Sequence, residues 1–246
     1  QFREKINFEL TLAYELQMKI TPQLVEWFGD YEIFFSRKFS SKIGGDYIEG
    51  YKFKFANKFA LIIADMPGHG IPSALLLSSF KALTYQALQT EKSSGEIMTQ
   101  INASIMALNI NIFPTACCII LDNDKKTIEY TNAGHPYPFI ISSSGESRIV
   151  DYNETLLGIS DCEYATNSIK LEAGETIYLY SDGIVEMTSK NIAEEHFDIT
   201  GLIEFLSARR AVDKSAVFAE LYKRLIEFHG SADFEDDIML LSVKLD

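Results

Sequence analysis

Hydrophobic and polar residues follow one another along this chain in blocks that predict strand clusters separated by paired helices. Apolar residues three or four positions apart indicate amphipathic helices, whereas short apolar runs between turn residues indicate strands. Helices are predicted at residues 2–28, 72–90, 94–109, 201–207 and 215–229. Strands are predicted at residues 32–39, 46–55, 59–65, 116–121, 127–132, 139–142, 167–171, 176–180 and 238–245.

The order of these elements predicts the fold class. The strands occur in hairpin-like groups and the helices in pairs, which differs from the strict βαβ alternation of a parallel sheet. Turn-forming residues at 123–126 and 143–145 join successive strands. The pattern therefore favours antiparallel sheets flanked by helices, without a linker that divides the chain into two consecutive domains.

The first predicted helix has an apolar stripe that needs a packing partner. The stripe comprises Ile6, Leu10, Ala13 and Ile20. Pro22 is expected to stop or restart this helix. The sequence starts inside the helix without an initiator Met, so we expect a piece of a longer protein. Residues 1–28 are predicted to be a helical connector, and residues 29–246 the main domain.

Composition and charge exclude several classes of function. The net charge of −13 argues against a nucleic-acid binder, because phosphate contacts need a basic surface. Hydrophobic residues form 47% of the chain, which suffices for a buried core, and no apolar run approaches membrane-spanning length. Three cysteines without metal-ligand spacing indicate a reducing compartment. We therefore expect a cytoplasmic domain, and attachment of the full-length protein to a membrane stays open.

Aspartates recur where predicted strands meet turns, usually with a glycine beside them. They are Asp46 after Gly45, Asp65 before Gly68, Asp182 before Gly183, and the pair Asp236–Asp237 before the last strand. Carboxylates at strand ends can converge on a hard divalent cation, which takes oxygen ligands. A water on that cation can become the nucleophile of a hydrolysis. A single Asp-Gly usually indicates only a turn, so the signal lies in its repetition.

The histidine patterns are weaker. His69, between Gly68 and Gly70, fits either an anion-binding loop or a tight strand-to-helix connection. His135 fits a general acid, a ligand or a packed side chain, and we favour the packed interpretation. His196 and His229 are expected to be solvated. No nucleophile or phosphate-loop motif is present, which makes a metal-activated water the most economical nucleophile.

Seven segments, in this order, resemble the SpoIIE/RsbU-type branch of the metal-dependent type 2C (PPM) protein serine/threonine phosphatases. They are Gly44–Tyr47, Ile63–Ala74, Pro114–Cys117, Tyr130–Pro136, Leu156–Ile159, Leu179–Gly183 and Asp236–Ile238. The resemblance implies an α+β fold, a four-layer α-β-β-α sandwich with two central, mostly antiparallel sheets.

The resemblance also implies a site for two Mn²⁺ or Mg²⁺ ions. The implied metal contacts are Asp46, Asp65, the backbone of Met66, Asp182 and Asp236. Among them, Asp65 bridges the ions, and Asp65 and Asp182 are the catalytic residues. The residues implied to support these contacts are Gly45, His69, Gly183 and Asp237. Which of Asp236 and Asp237 binds metal stays open at this point.

The function implied is hydrolysis of phosphoserine or phosphothreonine by a metal-activated water. The implied substrate is a STAS-type anti-sigma-factor antagonist, and the implied upstream partner is a sensor or receiver domain. The N-terminal helix would connect to that domain or pair with a second copy in a homodimer. The alternative is a catalytically weak regulatory module, because Met66, Pro67 and Met239 depart from the family pattern. A phosphodiesterase is disfavoured, because only four histidines are present, without paired spacing.

Overall fold

The computed structural model describes residues 24–40, 44–68, 71–190 and 196–246. It divides into two compact units that are interleaved along the sequence. The first unit comprises the described parts of residues 1–25, 41–135 and 152–170, and the second comprises residues 26–40, 136–151 and the described parts of 171–246. Each unit contains one antiparallel sheet with its own helices.

The elements of the described residues are numbered in chain order. The strands are β1 (Trp27–Phe28), β2 (Tyr31–Lys38), β3 (Asp46–Lys52), β4 (Lys58–Asp65), β5 (Thr115–Asp122), β6 (Thr127–Ala133), β7 (Phe139–Ile141), β8 (Ser147–Ile149), β9 (Asn167–Lys170), β10 (Thr176–Tyr180) and β11 (Ile238–Leu245). The helices are α1 (Ile71–Leu88), α2 (Ser94–Ala107), α3 (Asp182–Val185), α4 (Ile199–Ala208) and α5 (Lys214–His229).

The first unit is built on a five-stranded sheet in the order β3-β4-β5-β6-β9. Strands β4 and β5 of this sheet are apolar between their polar end residues, and alternate side chains of a strand point to the same face. On one face, Ala60 and Ile62 of β4 pack with Phe80 of α1 and with Ile97 and Ile101 of α2. This core fixes β4, the strand that ends at Asp65.

Helix α1 is also tied to β3 by a buried charge. The carboxylate of Glu49 is 2.7 Å from the Lys81 ammonium group and accepts a hydrogen bond of 3.0 Å from the Tyr47 hydroxyl. Burial, followed by the charge of Glu49, raises the pKa of Tyr47 far above its usual range. Tyr47 therefore stays a neutral donor, and the network fixes the strand that begins at Asp46.

The second unit is built on a six-stranded sheet in the order β1-β2-β11-β10-β7-β8. Its core joins Tyr180 of β10 and Leu240 of β11 to Leu202 of α4 and Leu221 and Leu225 of α5. Strands β10 and β11 are antiparallel neighbours, paired from Thr176 opposite Lys244 to Tyr180 opposite Leu240. The end of β10 and the start of β11 therefore lie side by side.

The predicted elements agree with the structure except in three places. The predicted helix at 2–28 is wrong at its end, because Trp27–Phe28 is strand β1, which pairs with β2 through a tight turn containing Gly29 at φ +57°. Residues 2–23 of that prediction lie outside the described residues. Strand β8 and helix α3 were not predicted. Within the described ranges, no helix combines the length and apolarity needed to cross a membrane.

Candidate metal centre

Asp46 and Asp65 are direct partners in the sheet of the first unit. Asp46 starts β3, Asp65 ends β4, and the antiparallel register places them opposite each other. Asp46 is buried and Asp65 is half-buried. Like charges at opposite positions destabilise a sheet by up to about 1 kcal/mol. A cation bound between these carboxylates would remove that repulsion.

Gly45 allows the turn before β3 to approach the loop after β4. The Met66 N–H donates a hydrogen bond of 3.2 Å to the Gly45 carbonyl oxygen. A Cβ atom at Gly45 would lie 2.9 Å from the carbonyl oxygen of Met66 and 2.9 Å from the hydroxyl of Ser73. The Met66 carbonyl thus lies beside the residue that precedes Asp46, as a backbone contact to a shared cation requires. His69, predicted to support this site, lies outside the described residues.

In the second unit, Ser181 joins the end of β10 to the start of β11. Its hydroxyl donates a hydrogen bond of 3.0 Å to the Asp237 carbonyl oxygen and accepts one of 2.8 Å from the Met239 N–H. Asp182 follows as the first residue of the short helix α3. These bonds fix Asp182 relative to the Asp236–Asp237 turn.

The carboxylate of Asp182 has an environment that suits a cation ligand. Its Oδ1 atom is buried and accepts no hydrogen bond from any described residue. Burial, followed by the negative charges of Asp236 and Glu186, raises the pKa of Asp182 to about 6. A buried carboxylate oxygen that lacks a donor and lies near other carboxylates is a suitable ligand for a hard divalent cation.

Asp236 and Asp237 have different environments. The Oδ1 atom of the buried Asp237 accepts hydrogen bonds from the N–H and hydroxyl of Ser40, at 2.8 and 3.1 Å. Asp236 is exposed and lines a cavity of about 160 Å³ together with Asp182. This geometry favours Asp236 as the residue that faces a cation and Asp237 as its support.

Comparison of the sequence with known protein families identifies the family of this chain. Residues 56–246 match the profile of Stage II sporulation protein E (SpoIIE). The chain belongs to the SpoIIE family. The matched range contains four of the five predicted metal contacts, all except Asp46.

Relatives and solved structures agree with this membership. Phosphoserine phosphatase RsbP of Bacillus subtilis (strain 168) is 26% identical over 196 residues, which cover 77% of this chain and 48% of RsbP. Phosphoserine phosphatase RsbU of the same strain is 30% identical over 168 residues, which cover 67% of this chain and 50% of RsbU. The chain thus spans about half the length of these relatives.

The fold is that of the SiaA-PP2C domain of Pseudomonas aeruginosa. The TM-score is 0.88 at 20% identity, with 100% of this chain and 99% of that domain covered. The predicted class, α+β with two antiparallel sheets and flanking helices, is confirmed. The predicted type 2C resemblance of the SpoIIE/RsbU kind is also confirmed.

The predicted ligands of this SpoIIE-family chain occur as pairs in the structure. Asp46 is opposite Asp65 in the first unit, and Asp182 lies near Asp236 in the second. Among residues 24–40, 44–68, 71–190 and 196–246, no three His, Cys, Asp or Glu side chains are grouped closely enough to hold a metal ion. Each unit by itself therefore supplies two of the four predicted carboxylates.

Gly183 supplies a test of the acidic turn in the second unit. A Cβ atom at Gly183 would lie 2.1 Å from the Asp237 carbonyl oxygen, so the backbone must shift in Gly183→Ala. We expect this variant to lose about 3 kcal/mol of unfolding free energy, the upper range for overpacking. Urea denaturation in EDTA measures the loss.

Gly201→Ala is the matched control for that change. Gly201 lies in α4, where an added Cβ would meet its nearest atom at 3.7 Å, an ordinary contact. Alanine has a higher helix propensity than glycine, so this variant should gain up to about 1 kcal/mol. Equal stability of the two variants would contradict the close approach of Gly183 to Asp237.

His135 is buried, as the favoured interpretation predicted. Its Nδ1 atom is 3.0 Å from the Thr115 hydroxyl. The side chain of Asn132 accepts a hydrogen bond of 3.0 Å from the backbone N–H of His135 and donates one of 2.8 Å to its backbone carbonyl oxygen. Thr115 is opposite Asp65 in the β4–β5 register. His135 therefore stabilises the strand next to Asp65.

His229 was predicted to be solvated, and that prediction is wrong. The residue is 2% exposed, and both ring nitrogens face backbone carbonyl oxygens, those of Thr188 and Asp233. One sequence signal could have identified it: a histidine in the last turn of a helix, followed by Gly230. Gly230 has a φ of +83° and ends α5. His196, by contrast, is exposed as predicted.

Proposed function

We propose that this chain is the catalytic domain of a metal-dependent protein serine/threonine phosphatase. The observation that carries the proposal is the half-buried Asp182 carboxylate near Asp236, whose buried Oδ1 atom accepts no hydrogen bond from the described residues, in a chain of the SpoIIE family. A regulatory module that had lost its metal would not need to retain this unfavourable arrangement.

The proposed ligands are the carboxylates of both units and one backbone carbonyl. They are Asp46, Asp65, the backbone of Met66, Asp182 and Asp236. The proposed cofactors are two Mn²⁺ or Mg²⁺ ions, which favour oxygen ligands. When bound, such ions supply an activated water and neutralise charge on the phosphoryl group. Asp65 and Asp182 are the proposed catalytic residues.

Two solved structures with the same fold support the choice of cations. RsbX, at 17% identity and a TM-score of 0.62, is a complex with magnesium. The catalytic domain of the serine/threonine protein phosphatase PstP, at 15% identity and a TM-score of 0.57, is a complex with two manganese ions. The same two metals suit the all-oxygen donor set of this chain.

The remaining residues of the site orient the ligands. Asp237, held by Ser40, fixes the turn from which Asp236 projects. Ser181 fixes the residue before Asp182 against the same turn. Side chains that hold ligands in place in this way lower the entropic cost of binding a cation.

The proposed substrate is a phosphoserine or phosphothreonine on a STAS-type anti-sigma-factor antagonist. RsbU and RsbP, both named phosphoserine phosphatases, are the relatives that support this class of substrate. We further propose a cytoplasmic domain that an upstream sensor or receiver domain regulates. Residues 1–28 would form the connector to that domain, or a homodimer contact.

Phosphate release from a panel of substrates tests the proposed function. The panel contains phosphoserine, phosphothreonine and phosphotyrosine peptides and a phosphodiester, each with Mn²⁺ or with EDTA. We expect release from the first two peptides only, and only with Mn²⁺. Preferred cleavage of the diester would favour a phosphodiesterase, and no cleavage of any substrate would favour the regulatory module.

A further inference from the structure

His229 contacts two loops of the second unit at once. It is the last residue of α5. Its Nδ1 atom lies 2.8 Å from the carbonyl oxygen of Thr188, and its Nε2 atom lies 3.2 Å from that of Asp233. The ring packs edge-on against Phe234, with 5.5 Å between centroids. One buried side chain therefore joins the loop after α3 to the loop before β11.

Both groups that face the ring nitrogens are backbone carbonyl oxygens. A carbonyl oxygen accepts and never donates, so each nitrogen that bonds to one must carry a proton. Neutral imidazole carries a single proton and would place a nitrogen lone pair against one of the carbonyl oxygens. Only the doubly protonated imidazolium donates both hydrogen bonds.

The ring shares a cavity with the acidic groups of the second unit. Those that line this cavity are Asp182, Glu186, Glu235 and Asp236. They belong to the two loops and to the short helix α3.

The two joined loops lie next to the proposed ligands of the second unit in the sequence. Thr188 follows α3, which begins at Asp182, and Asp233 precedes Asp236. The first loop is held at a second point, because the Lys190 N–H donates a hydrogen bond of 3.1 Å to the His229 carbonyl oxygen. Loss of the side-chain bonds would weaken the attachment of the first loop and release the second.

We propose that His229 is a positioning residue of the metal centre, which through its two ring nitrogens fixes the loop after α3 to the loop before β11. This pair of hydrogen bonds is called the His229 strap. Its effect on the metal site rests on the proposed function, whereas its effect on the loops does not. His229 touches neither substrate nor metal in this role.

Three variants test the His229 strap. His229→Phe keeps a ring against Phe234 but donates to neither carbonyl oxygen. His229→Gln has one amide nitrogen and can hold one loop. Tyr222→Phe is the matched control, because Tyr222 also lies on α5, also packs on Phe234 with 5.5 Å between centroids, and keeps its ring.

Hydrogen exchange of the metal-free proteins gives the direct readout. In His229→Phe, we expect amide exchange in segments 186–190 and 231–237 to rise about tenfold, because both segments lose a hydrogen bond that limits local opening. Tyr222→Phe should leave both segments unchanged, and His229→Gln should protect one of them.

Metal titration separates this proposal from the proposed function. The Mn²⁺ concentration for half-maximal hydrolysis should rise about tenfold in His229→Phe, with kcat at saturating Mn²⁺ changed less than about twofold. Unchanged exchange in both segments would overturn the strap, whatever the phosphatase assay shows. Raised exchange in a chain without Mn²⁺-dependent hydrolysis would leave the strap in place and overturn the proposed function.

Discussion

Asp65→Asn and Asp182→Asn should each lower Mn²⁺-dependent hydrolysis of a phosphoserine peptide at least about 100-fold. Each substitution removes a negative charge from the proposed cation site at nearly constant volume. A metal ion contributes several kcal/mol of transition-state stabilisation, and about 2.7 kcal/mol corresponds to a factor of 100 in rate. Initial rates at saturating substrate, over a range of Mn²⁺ concentrations, measure the loss.

The controls are exposed aspartates, one from each unit. Asp161→Asn in the first unit and Asp151→Asn in the second change the net charge by the same amount at exposed positions. Both should keep the full rate. If Asp65→Asn and Asp182→Asn also retained near-normal turnover, the assignment of these residues to a metal centre would be wrong.

Asp182→Asn should also stabilise the metal-free protein at neutral pH. The pKa of Asp182 is raised to about 6 by burial, Asp236 and Glu186. In the unfolded chain the carboxyl group has its ordinary, lower pKa, so between these two values the folded state binds more protons than the unfolded state. The stability contributed by this group therefore falls as the pH rises through that window.

The asparagine variant does not undergo this loss, because an amide does not ionise. We expect the free energy of unfolding of the variant to exceed that of the unsubstituted protein by on the order of 2 kcal/mol at about pH 7.5. At about pH 4 the two values should match. Urea denaturation of both proteins in EDTA measures the difference. With saturating Mn²⁺ the order should reverse, because bound ligand stabilises only the protein that binds it. If metal-free Asp182→Asn were less stable than the unsubstituted protein at about pH 7.5, the unfavourable environment of the ionised Asp182 carboxylate would be contradicted.

The sequence predicts elements well where an apolar run is bounded by turn residues. Strands β10 and β11 were predicted with their observed bounds for this reason. Strand β8 was missed because all three of its residues are exposed, which leaves no alternating pattern to detect. Helix α3 has four residues, too few for helical periodicity to appear. The helix predicted at residues 2–28 included Trp27–Phe28 because of its apolar residues. These two residues form a strand instead, because they pair with β2.

The candidate site was predictable to the extent that its signals are local. Asp65 and Asp182 follow apolar strands directly, and the resemblance supplies their order along the chain. The choice between Asp236 and Asp237 depends on Ser40, which lies 197 positions away. The position of His229 before Gly230 indicates a helix end, whereas its two backbone carbonyl partners have no side-chain signature. Contacts of both kinds exist only after folding.

Manganese binding and phosphoserine hydrolysis, followed on the same sample, test the central claim most directly. Electron paramagnetic resonance counts bound Mn²⁺ while phosphate release is recorded at each step of the titration. We predict that about two ions bind per chain and that hydrolysis rises with their occupancy, since both ions are needed to activate water and neutralise the phosphoryl group. Hydrolysis that persists in EDTA, or full Mn²⁺ occupancy without hydrolysis of phosphoserine or phosphothreonine, would contradict a metal-dependent phosphatase.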